Sequence, residues 1–321
     1  MRQARESGDR GASMECFLLG SGGMAPMPHR LLTSLVMRLN GRAYLFDAGE
    51  GAQLGWKKSH IGVRGLDVMA VTHLHADHIL GLPGLMMLKA QMENPGPLVI
   101  IGPPGIEDFV ESNRRITDFH INYAVRFVEW TDGAPDLAYE DDQLRIFWRP
   151  LQHRRFCLGY RVEEHERPGR FDAEAAERLG IPRGPLWGKL QKGEKVIAEK
   201  GKEVSPRQVL GPPRRGRRLA FVVDTRPTKN IYYLCDKVDI AFIEGMFLPE
   251  DAEHAEAKGH MTVVEAARIA ERAGAGRVIL VHISPRYTNE DLSRLEAAAK
   301  ERFPHAAMGR DLDIHSVPYP D

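Results

Sequence analysis

The sequence predicts an α/β fold in which two packed sheets carry helices on their outer faces. Short apolar runs alternate with segments whose apolar residues recur at helical spacing. These runs are more numerous than one sheet would hold comfortably, so two sheets that pack against each other are expected. A chain of 321 residues with 43% hydrophobic and 27% charged residues is large enough to bury such a core.

The predicted elements follow the order of the apolar runs. Each strand prediction depends on a short run of aliphatic or aromatic residues. Helices are expected at 84–91, 262–273 and 289–302, and Thr262 and Glu265 have the spacing of a capping box at the start of the second one. The predicted strands lie at 15–19, 35–39, 43–46, 67–71, 98–101, 125–130, 144–148, 158–162, 219–223, 239–243 and 278–281.

Residues 163–218 interrupt this alternation. They contain few strand patterns, much glycine and proline, and one short amphipathic helix candidate at 171–179. Between residues 161 and 218 there are 15 lysines and arginines against 9 acidic residues, whereas the whole chain has 44 of each. We therefore expect a disordered extension at 1–13 and one domain at 14–321 with an inserted flexible arm at about 163–218. A solvated basic surface would also explain the charge, so charge alone identifies no partner.

The cysteines and the apolar stretches indicate the compartment. Cys16, Cys157 and Cys235 are scattered and lie in apolar or mixed surroundings. This argues against a disulfide framework and for buried thiols in a reducing cytoplasm. No apolar stretch approaches the length of a membrane span, and residues 1–13 lack the apolar region of a signal peptide. The expected protein is cytoplasmic and has no membrane partner.

Residues 73–78 carry the pattern His-x-His-x-Asp-His directly after the apolar run 68–71. Imidazole and carboxylate together favour zinc or a similar divalent ion. Residues two apart on an extended segment point the same way, so His73 and His75 can bind one ion. Asp77 and His78 lie just beyond, where the chain turns, and can face a second ion. A surface histidine cluster is the alternative, but apolar sequence flanks the motif on both sides.

Other candidate ligands lie next to predicted elements. Asp47, His153, Asp224 and His282 follow predicted strands, and His260 precedes the predicted helix at 262. Taken singly, an aspartate after a strand is often a turn residue, and a lone histidine is usually structural. Their shared position, in a chain that also has a metal motif, favours one common site.

These motifs resemble those of metallo-β-lactamase-fold hydrolases and, within that group, those of the ribonuclease Z family, the endoribonucleases that mature tRNA 3′ ends. The metal motif specifies only the superfamily, whereas the later motifs and the insertion point to the narrower family. The resemblance implies an αββα sandwich of two mixed sheets with helices outside and an inserted arm. The matching segments are 46–53 (FDAGEGAQ), 72–85 (THLHADHILGLPGL), 224–227 (DTRP) and 280–287 (LVHISPRY).

The resemblance also implies a ligand set for two zinc ions, with manganese or another divalent ion as the alternative. One ion would be held by three histidines and the other by two histidines and an aspartate, with a second aspartate bridging both. A further aspartate would orient ligands through hydrogen bonds. These residues are His73, His75 and His153 for the first ion, Asp77, His78 and His282 for the second, Asp224 as the bridge and Asp47 behind the ligands.

Catalytic roles follow from the same resemblance. Asp77 would orient or deprotonate the nucleophile, and His260, with Glu244 behind it, would protonate or stabilise the departing 3′ oxygen. The substrate would be precursor tRNA, and the products a tRNA 3′-hydroxyl and a 5′-phosphate on the trailer. A homodimer is expected by analogy. An arm that grips the tRNA body would use Arg183, Gly184, Pro185, Lys189, Lys192 and Lys195.

Two other functions stay open at this point. One is a hydrolase of the same fold that acts on small phosphodiesters or cyclic nucleotides, for which a truncated or replaced arm would be expected. The other is a catalytically silent RNA-binding protein, against which the complete ligand set argues. Residues 26–31 match the family loop Pro-x-Lys-x-Arg-Asn only at Pro26 and Arg30. The cleavage position and the response to a CCA end therefore stay open as well.

Overall fold

The computed structural model describes residues 13–199 and 201–320. The disordered extension expected at 1–13 therefore lies outside the described residues, apart from residue 13. Within the described part, the chain forms sixteen β-strands and ten α-helices, which we number in chain order. The helices are α1 (Ala52–Lys58), α2 (Ala76–Ile79), α3 (Leu82–Ala90), α4 (Ile106–Thr117), α5 (Ala173–Arg178), α6 (Pro185–Gln191), α7 (Lys229–Cys235), α8 (Ala252–Lys258), α9 (Val263–Arg272) and α10 (Leu292–Arg302).

The first sheet has seven strands in the order β16-β1-β2-β3-β4-β5-β6. Strands β1 to β3 are antiparallel neighbours, whereas β3 to β6 run parallel, so the sheet is mixed. Its strands are β1 (Met14–Gly20), β2 (Ser34–Leu39), β3 (Arg42–Phe46), β4 (Leu66–Ala70), β5 (Leu98–Gly102), β6 (Val125–Glu129) and β16 (Ile314–Val317).

The second sheet also has seven strands, in the order β15-β14-β13-β12-β9-β8-β7. Strands β12 to β15 run parallel, and β9 is antiparallel to β12. Its strands are β7 (Leu137–Glu140), β8 (Leu144–Leu151), β9 (Cys157–Glu164), β12 (Arg218–Val222), β13 (Ile240–Glu244), β14 (Val278–Val281) and β15 (Ala306–Met308). The two remaining strands, β10 (Val196–Ile197) and β11 (Glu203–Val204), form a separate antiparallel pair.

Aromatic side chains join the two large sheets. The ring of Phe46 in β3 lies 5.9 Å from Tyr160 in β9 and 5.6 Å from Phe221 in β12, measured between centroids. The Tyr160 hydroxyl donates a hydrogen bond to the carbonyl of Val71 at the end of β4, at 2.5 Å. All three aromatic side chains are buried, so the sheets share a dry core.

Helices cover the outer face of each sheet. Trp56 of α1 and Leu85 of α3 pack in one apolar cluster with the first sheet. Ile231 of α7, Ala267 of α9 and Leu295 of α10 pack in another cluster with the second sheet. The capping box is confirmed: Thr262 Oγ1 accepts from the Glu265 amide at 3.2 Å, and Glu265 Oε2 accepts from the Thr262 amide at 2.8 Å. The layers confirm the predicted fold class of two packed mixed sheets with helices outside.

Part of the chain forms a second compact unit. Within the described residues it consists of 142–144, 164–199, 201–217 and 319–320, while 13–141, 145–163 and 218–318 form the first unit. This second unit contains α5, α6 and the β10–β11 pair, which are short elements. They enclose a small apolar core of their own, in which Ala176, Leu190 and Val204 are completely buried. The segment predicted as an irregular insertion thus folds around its own side chains.

Several strands and helices were not predicted from the sequence, and the reasons can be identified. Strands β7, β15 and β16 lie at sheet edges and have three or four residues each, so they lack a long apolar run. Helix α4 is amphipathic, but its start follows Pro103-Pro104-Gly105, where the sequence is typical of a loop. No helix within the described residues is long and apolar enough to span a membrane.

Candidate metal centre

The candidate ligands lie where strands of both sheets end. Asp47 directly follows β3, and His73 follows β4 by three residues. In the second sheet, Asp224 and His282 come just after β12 and β14. Because parallel strands end at the same edge of a sheet, these loops converge. The sequence placed these residues directly after predicted strands, and in the structure the loops that carry them lie together.

Three of these residues have left-handed backbone conformations. The φ angle is +55° at Asp47, +53° at Asp224 and +58° at His282. This region is uncommon for residues other than glycine, and histidine and aspartate tolerate it better than most. Each turn redirects the chain immediately after its strand, which brings the side chain towards the centre of the site. Such conformations persist only where the surrounding structure holds them.

The candidate ligands form two groups, and a third group of Asp224, His260 and His282 overlaps both. The first contains His73, His75, His153 and Asp224, and the second Asp77, His78 and His282; within each group the ligand atoms lie within 4.8 Å of one another. His73 and His78 are completely buried. The alternative of a surface histidine cluster is therefore wrong.

Asp224 lies between the two groups and offers one oxygen to each. Its Oδ2 is 3.5 Å from His73 Nε2 and 3.6 Å from His153 Nε2. Its Oδ1 is 3.3 Å from His78 Nε2 and 3.0 Å from His282 Nε2. This is the geometry of a carboxylate that can bridge two cations.

Hydrogen bonds behind the site fix which nitrogen of His78 and of His153 faces it. His78 Nδ1 lies 2.7 Å from Asp47 Oδ2, and His153 Nδ1 lies 3.2 Å from the carbonyl oxygen of Gly259. Asp47 also accepts hydrogen bonds from the amide and the hydroxyl of Thr72, at 2.7 and 2.8 Å. These contacts leave Nε2 of both histidines directed at Asp224, as metal ligation by Nε2 requires.

The unpaired atoms of the site fit a divalent cation. Among the described residues, Nε2 of His78, His153 and His282 and Oδ1 of Asp224 are buried and lack a hydrogen-bond partner. Buried polar atoms are rarely left unpaired, because each loses its water without replacement. Here the unpaired nitrogen and oxygen atoms point towards the same positions. Nitrogen and oxygen together are the donor set that zinc and similar ions prefer. The residues present therefore fit a pair of metal ions.

Asp77 is held by a backbone amide and lies beside two histidines. Its Oδ2 accepts a hydrogen bond from the Met24 amide at 2.8 Å and lies 3.5 and 3.6 Å from Nε2 of His78 and His282. Burial would raise the pKa of Asp77, but the adjacent imidazoles of His282 and His78 outweigh burial and bring the pKa well below its ordinary value. The Asp77 carboxyl is thus kept ionised.

His260 and Glu244 form a buried pair beside this site. His260 Nδ1 lies 3.1 Å from Glu244 Oε2, and the His260 ring lies 5.2 Å from His153 and 5.4 Å from His282 between centroids. Glu244 is completely buried. Burial alone would lower the pKa of His260, but the Glu244 carboxylate outweighs burial and raises the pKa to about 9.

Sequence reasoning missed several residues that shape the site. A Cβ at Gly23 would lie 2.6 Å from the His282 ring, so this position admits no side chain without moving that ligand. The run Gly20-Ser21-Gly22-Gly23 was the available signal. Arg226 Nη1 donates to the His260 carbonyl at 2.5 Å, and its Nη2 pairs with Glu265 at 2.8 Å. Nothing in the local sequence indicates these long-range contacts of Arg226.

The predicted arm residues all belong to the second unit and lie on or beside α6. Gly184 has φ +153° and Pro185 is the first residue of α6. Arg183, Lys189 and Lys192 are exposed, and the Arg183 guanidinium lies 5.9 Å from the Trp187 ring. Lys195 is also exposed and pairs with Glu203 at 2.8 Å. The unit thus displays several cations on its surface.

Comparison with known proteins places this site in a family. The model described as "Beta-lactamase superfamily domain" matches residues 204–283, and the model of the anti-Pycsar protein Apyc1 matches residues 14–112. Ribonuclease Z of Treponema denticola is 41% identical over 309 residues, which cover 96% of this chain and 100% of that protein. The chain belongs to the ribonuclease Z family.

Other members extend this relationship. Ribonuclease Z of Treponema pallidum is 44% identical over 96% of this chain and 98% of that protein. Ribonuclease Z of Halorubrum lacusprofundi is 38% identical over 96% of this chain and 99% of that protein. Among solved structures, the human tRNase Z short form superposes with a TM-score of 0.68 at 22% identity, covering 95% of this chain and 100% of that one. This last likeness supports the metallo-β-lactamase fold.

Proposed function

We propose that this member of the ribonuclease Z family is a metal-dependent endoribonuclease that removes the 3′ trailer from precursor tRNA. The single observation that carries the proposal is the cluster of candidate ligands around Asp224, in a chain 41% identical to a ribonuclease Z along nearly its whole length. The reaction adds water to the phosphorus and breaks its bond to the 3′ oxygen of the tRNA. The products are a tRNA 3′-hydroxyl and a trailer with a 5′-phosphate.

The proposal assigns two zinc ions to the centre. Three histidines with a shared aspartate suit zinc on one side, and two histidines with Asp77 and the same Asp224 suit it on the other. Manganese accepts the same donors and is the alternative. Bound divalent ions would supply Lewis acidity, which lowers the pKa of water and polarises the phosphate.

Asp77 prepares the attacking water in this proposal. The Met24 amide donates a hydrogen bond to its carboxylate and holds it in place. An ionised carboxylate at this position can accept a hydrogen bond from water and align the oxygen lone pair with the phosphorus. Thr72 and Asp47 act further back, since they hold His78 in the orientation on which this arrangement depends.

His260 assists departure of the leaving group. Its Nδ1 is engaged by Glu244, so Nε2 is the atom that can give a proton to the 3′ oxygen as the bond to phosphorus breaks. Glu244 has no freedom to move, because its Oε1 also accepts from the Thr225 amide at 2.5 Å and its Oε2 from the Met261 amide at 3.1 Å. The pair is therefore preorganised for proton transfer.

The proposed function is tested with a 3′-extended precursor tRNA and mapping of both new ends. We expect one cut near the 3′ end of the tRNA, a 3′-hydroxyl on the tRNA and a 5′-phosphate on the trailer. Metal analysis should give about two zinc ions per chain, and prior removal of metal by a chelator should abolish cleavage. Added zinc or manganese should restore it.

The control substrate is an unrelated hairpin RNA with the same trailer. Equal cleavage of both RNAs would contradict tRNA processing, and full activity of a preparation shown to be free of metal would contradict the metal mechanism. Hydrolysis of a small phosphodiester without any cut in the precursor would favour the small-substrate alternative.

The effect of replacing His260 should depend on the leaving group of the substrate. His260→Ala is expected to lower kcat on precursor tRNA by about 10²- to 10³-fold, since the 3′ alkoxide needs a proton. Hydrolysis of bis(p-nitrophenyl) phosphate should change less than about threefold, because nitrophenolate leaves without one. Steady-state kinetics with both substrates measure this difference. His305→Ala, at a distant position, is the control, and an equal loss on both substrates would count against the acid role.

We also propose that the chain forms a homodimer through the face of α1 and α3. Leu54 of α1 and Met87 of α3 are 50% and 44% exposed, and Leu80, between α2 and α3, is 52% exposed. α1 and α3 pack together, with Gln53 Nε2 donating to the Gly84 carbonyl at 2.7 Å. Exposed apolar side chains grouped on neighbouring helices are typical of an interface.

Sedimentation equilibrium measures the proposed association. Wild-type protein should have twice the chain mass of 36.0 kDa, and Leu54→Glu with Met87→Glu should shift it to the monomer. The matched control is Ile116→Glu, an apolar residue that is 77% exposed on α4. A wild-type monomer at micromolar concentration would refute the dimer.

The proposed location is the cytoplasm. Cys16, Cys157 and Cys235 are buried, and none of them forms a disulfide. Cysteines outside disulfides are typical of a reducing compartment. Localisation of a tagged chain in its own cells measures this directly.

A further inference from the structure

One exposed segment lies directly beside the metal centre and has no role in the mechanism above. After His153, residues Arg154, Arg155 and Phe156 are all exposed, and Phe156 keeps 41% of its surface open to solvent. The next residue, Cys157, is completely buried and starts β9. A large aromatic side chain at the surface between a metal ligand and a buried strand calls for an explanation.

Phe156 ends a row of three aromatic side chains that runs from the core to the surface. The Trp148 ring is buried and lies 5.3 Å from the Trp130 ring, edge to face at 71°. The Trp130 ring is partly exposed and lies 6.3 Å from the Phe156 ring at 39°. The Trp148 indole donates to the Pro135 carbonyl at 2.9 Å, which fixes the inner end of the row. Trp130 therefore packs on a fixed indole, and Phe156 packs on Trp130.

Two observations place this row beside the reacting centre. Trp130 follows β6, two strands from β4, so it lies about 10 Å along the same sheet edge from the segment that carries His73. Phe156 is three residues from His153, and the sulfur of the adjacent Cys157 lies 3.9 Å from His73 Nδ1. The aromatic surface thus flanks the His73 and His153 side of the centre.

The charge around Phe156 suits a nucleic acid. Arg154 and Arg155 precede it, and the Arg154 guanidinium is bound to the Ala257 carbonyl, so its cation has a defined place. Exposed aromatic faces next to arginines are the features with which proteins hold unpaired nucleotides. The ring stacks on a base, while a cation contacts a neighbouring phosphate.

We propose that Phe156 and Trp130 form a stacking platform for one unpaired nucleobase next to the cleaved phosphodiester, with Arg155 contacting an adjacent phosphate. This inference rests on the proposed endoribonuclease function and adds a base-binding subsite to it. The platform accepts any base, because every base has a π face. It would hold the strand so that the scissile phosphate stays at the metal centre.

The test compares Phe156 variants on precursor tRNAs in which a single nucleotide is abasic. One series of substrates lacks the base at each of the three positions on either side of the cut. For wild-type protein, kcat/KM should fall by roughly 5- to 100-fold at one of these positions. Phe156→Ala should show a similar loss on the intact substrate and no further loss when that base is absent. The two losses are then non-additive, as expected for groups in contact.

Matched variants distinguish stacking from structural support. Phe156→Tyr and Phe156→Trp keep an aromatic face and should retain activity within about threefold. Phe156→Leu keeps apolar bulk but no aromatic face and should behave like the alanine variant. Tyr233→Ala removes an aromatic residue with almost the same exposure, 42%, on α7 and should keep the wild-type response to every abasic position. Zinc content and thermal melting of each variant verify that the centre and the fold are intact.

The outcomes separate this inference from the function on which it rests. Abasic losses that are the same in wild-type and Phe156→Ala proteins, or absent from both, would overturn the platform and leave the endoribonuclease intact. Wild-type activity of Phe156→Leu would do the same. A wild-type protein that does not cut intact precursor tRNA would instead overturn the proposed function, and this inference with it.

Discussion

Replacing Asp224 by alanine is expected to empty both metal sites at once and to lower precursor tRNA cleavage by at least about 10³-fold. The reason is that its two oxygens face different histidine groups, at 3.0 to 3.6 Å. Loss of the bridge removes a ligand from each ion and leaves two sets of histidines that repel each other when charged. Metal analysis by mass spectrometry together with single-turnover cleavage measures both effects.

Two controls make the Asp224 result specific. Asp236→Ala removes an exposed carboxylate at the end of α7 and should leave zinc content and activity unchanged. His75→Ala removes a ligand from only one group and should reduce zinc from about two to about one per chain. An Asp224→Ala protein that keeps two zinc ions would contradict the bridging role.

Removing residues 164–217 and 319–321, the greater part of the second unit, is expected to lower kcat/KM on precursor tRNA by about 100-fold, while hydrolysis of bis(p-nitrophenyl) phosphate changes less than about threefold. The structure shows how to make the deletion. Glu163 and Arg218 are paired on the antiparallel strands β9 and β12, so an Asn-Gly turn can replace residues 164–217. The chain should then end at Pro318, because Tyr319 packs on Arg167 and Arg217 of the deleted unit.

Charge reversal without deletion serves as the companion experiment. Arg183, Lys189 and Lys192 changed together to glutamate should weaken precursor tRNA binding and reduce its salt dependence. Three exposed cations of the first unit, Arg115, Lys237 and Arg268, changed in the same way are the matched control. Equal losses on the small phosphodiester and on precursor tRNA would indicate damage to the metal centre and refute an RNA-gripping role for this unit.

The central strands of the fold were predictable because the residues that form them are apolar on both faces. The runs at 98–101 and 278–281 are fully or almost fully buried, so composition alone marks them. Edge strands such as β16 are exposed at alternate residues and carry no such signal. Short helices such as α7 and α8, of seven residues each, depend on the sheet that they cover, which the local sequence does not reveal.

The local sequence of the second unit also did not reveal which of its residues are buried. Its sequence has the glycine, proline and charge of a loop, yet Ala176, Ile181 and Leu190 lie in a common core. These apolar residues are too widely spaced for a periodic pattern to show them. Packing between short elements decides their burial, and packing is a property of the folded chain.

For the site, the sequence alone was enough to predict the chemistry, because His73, His75, Asp77 and His78 are residues of the types that bind metal ions. Their spacing in the sequence shows only which of these residues lie on the same segment of the chain. The folded chain alone decides that Asp224 offers separate oxygens to two groups, and that the Met24 amide holds Asp77 at 2.8 Å. It also places Phe156 beside His153 with its ring against Trp130. These relations depend on where the ends of distant strands meet, and that meeting is set by the packing of the two sheets.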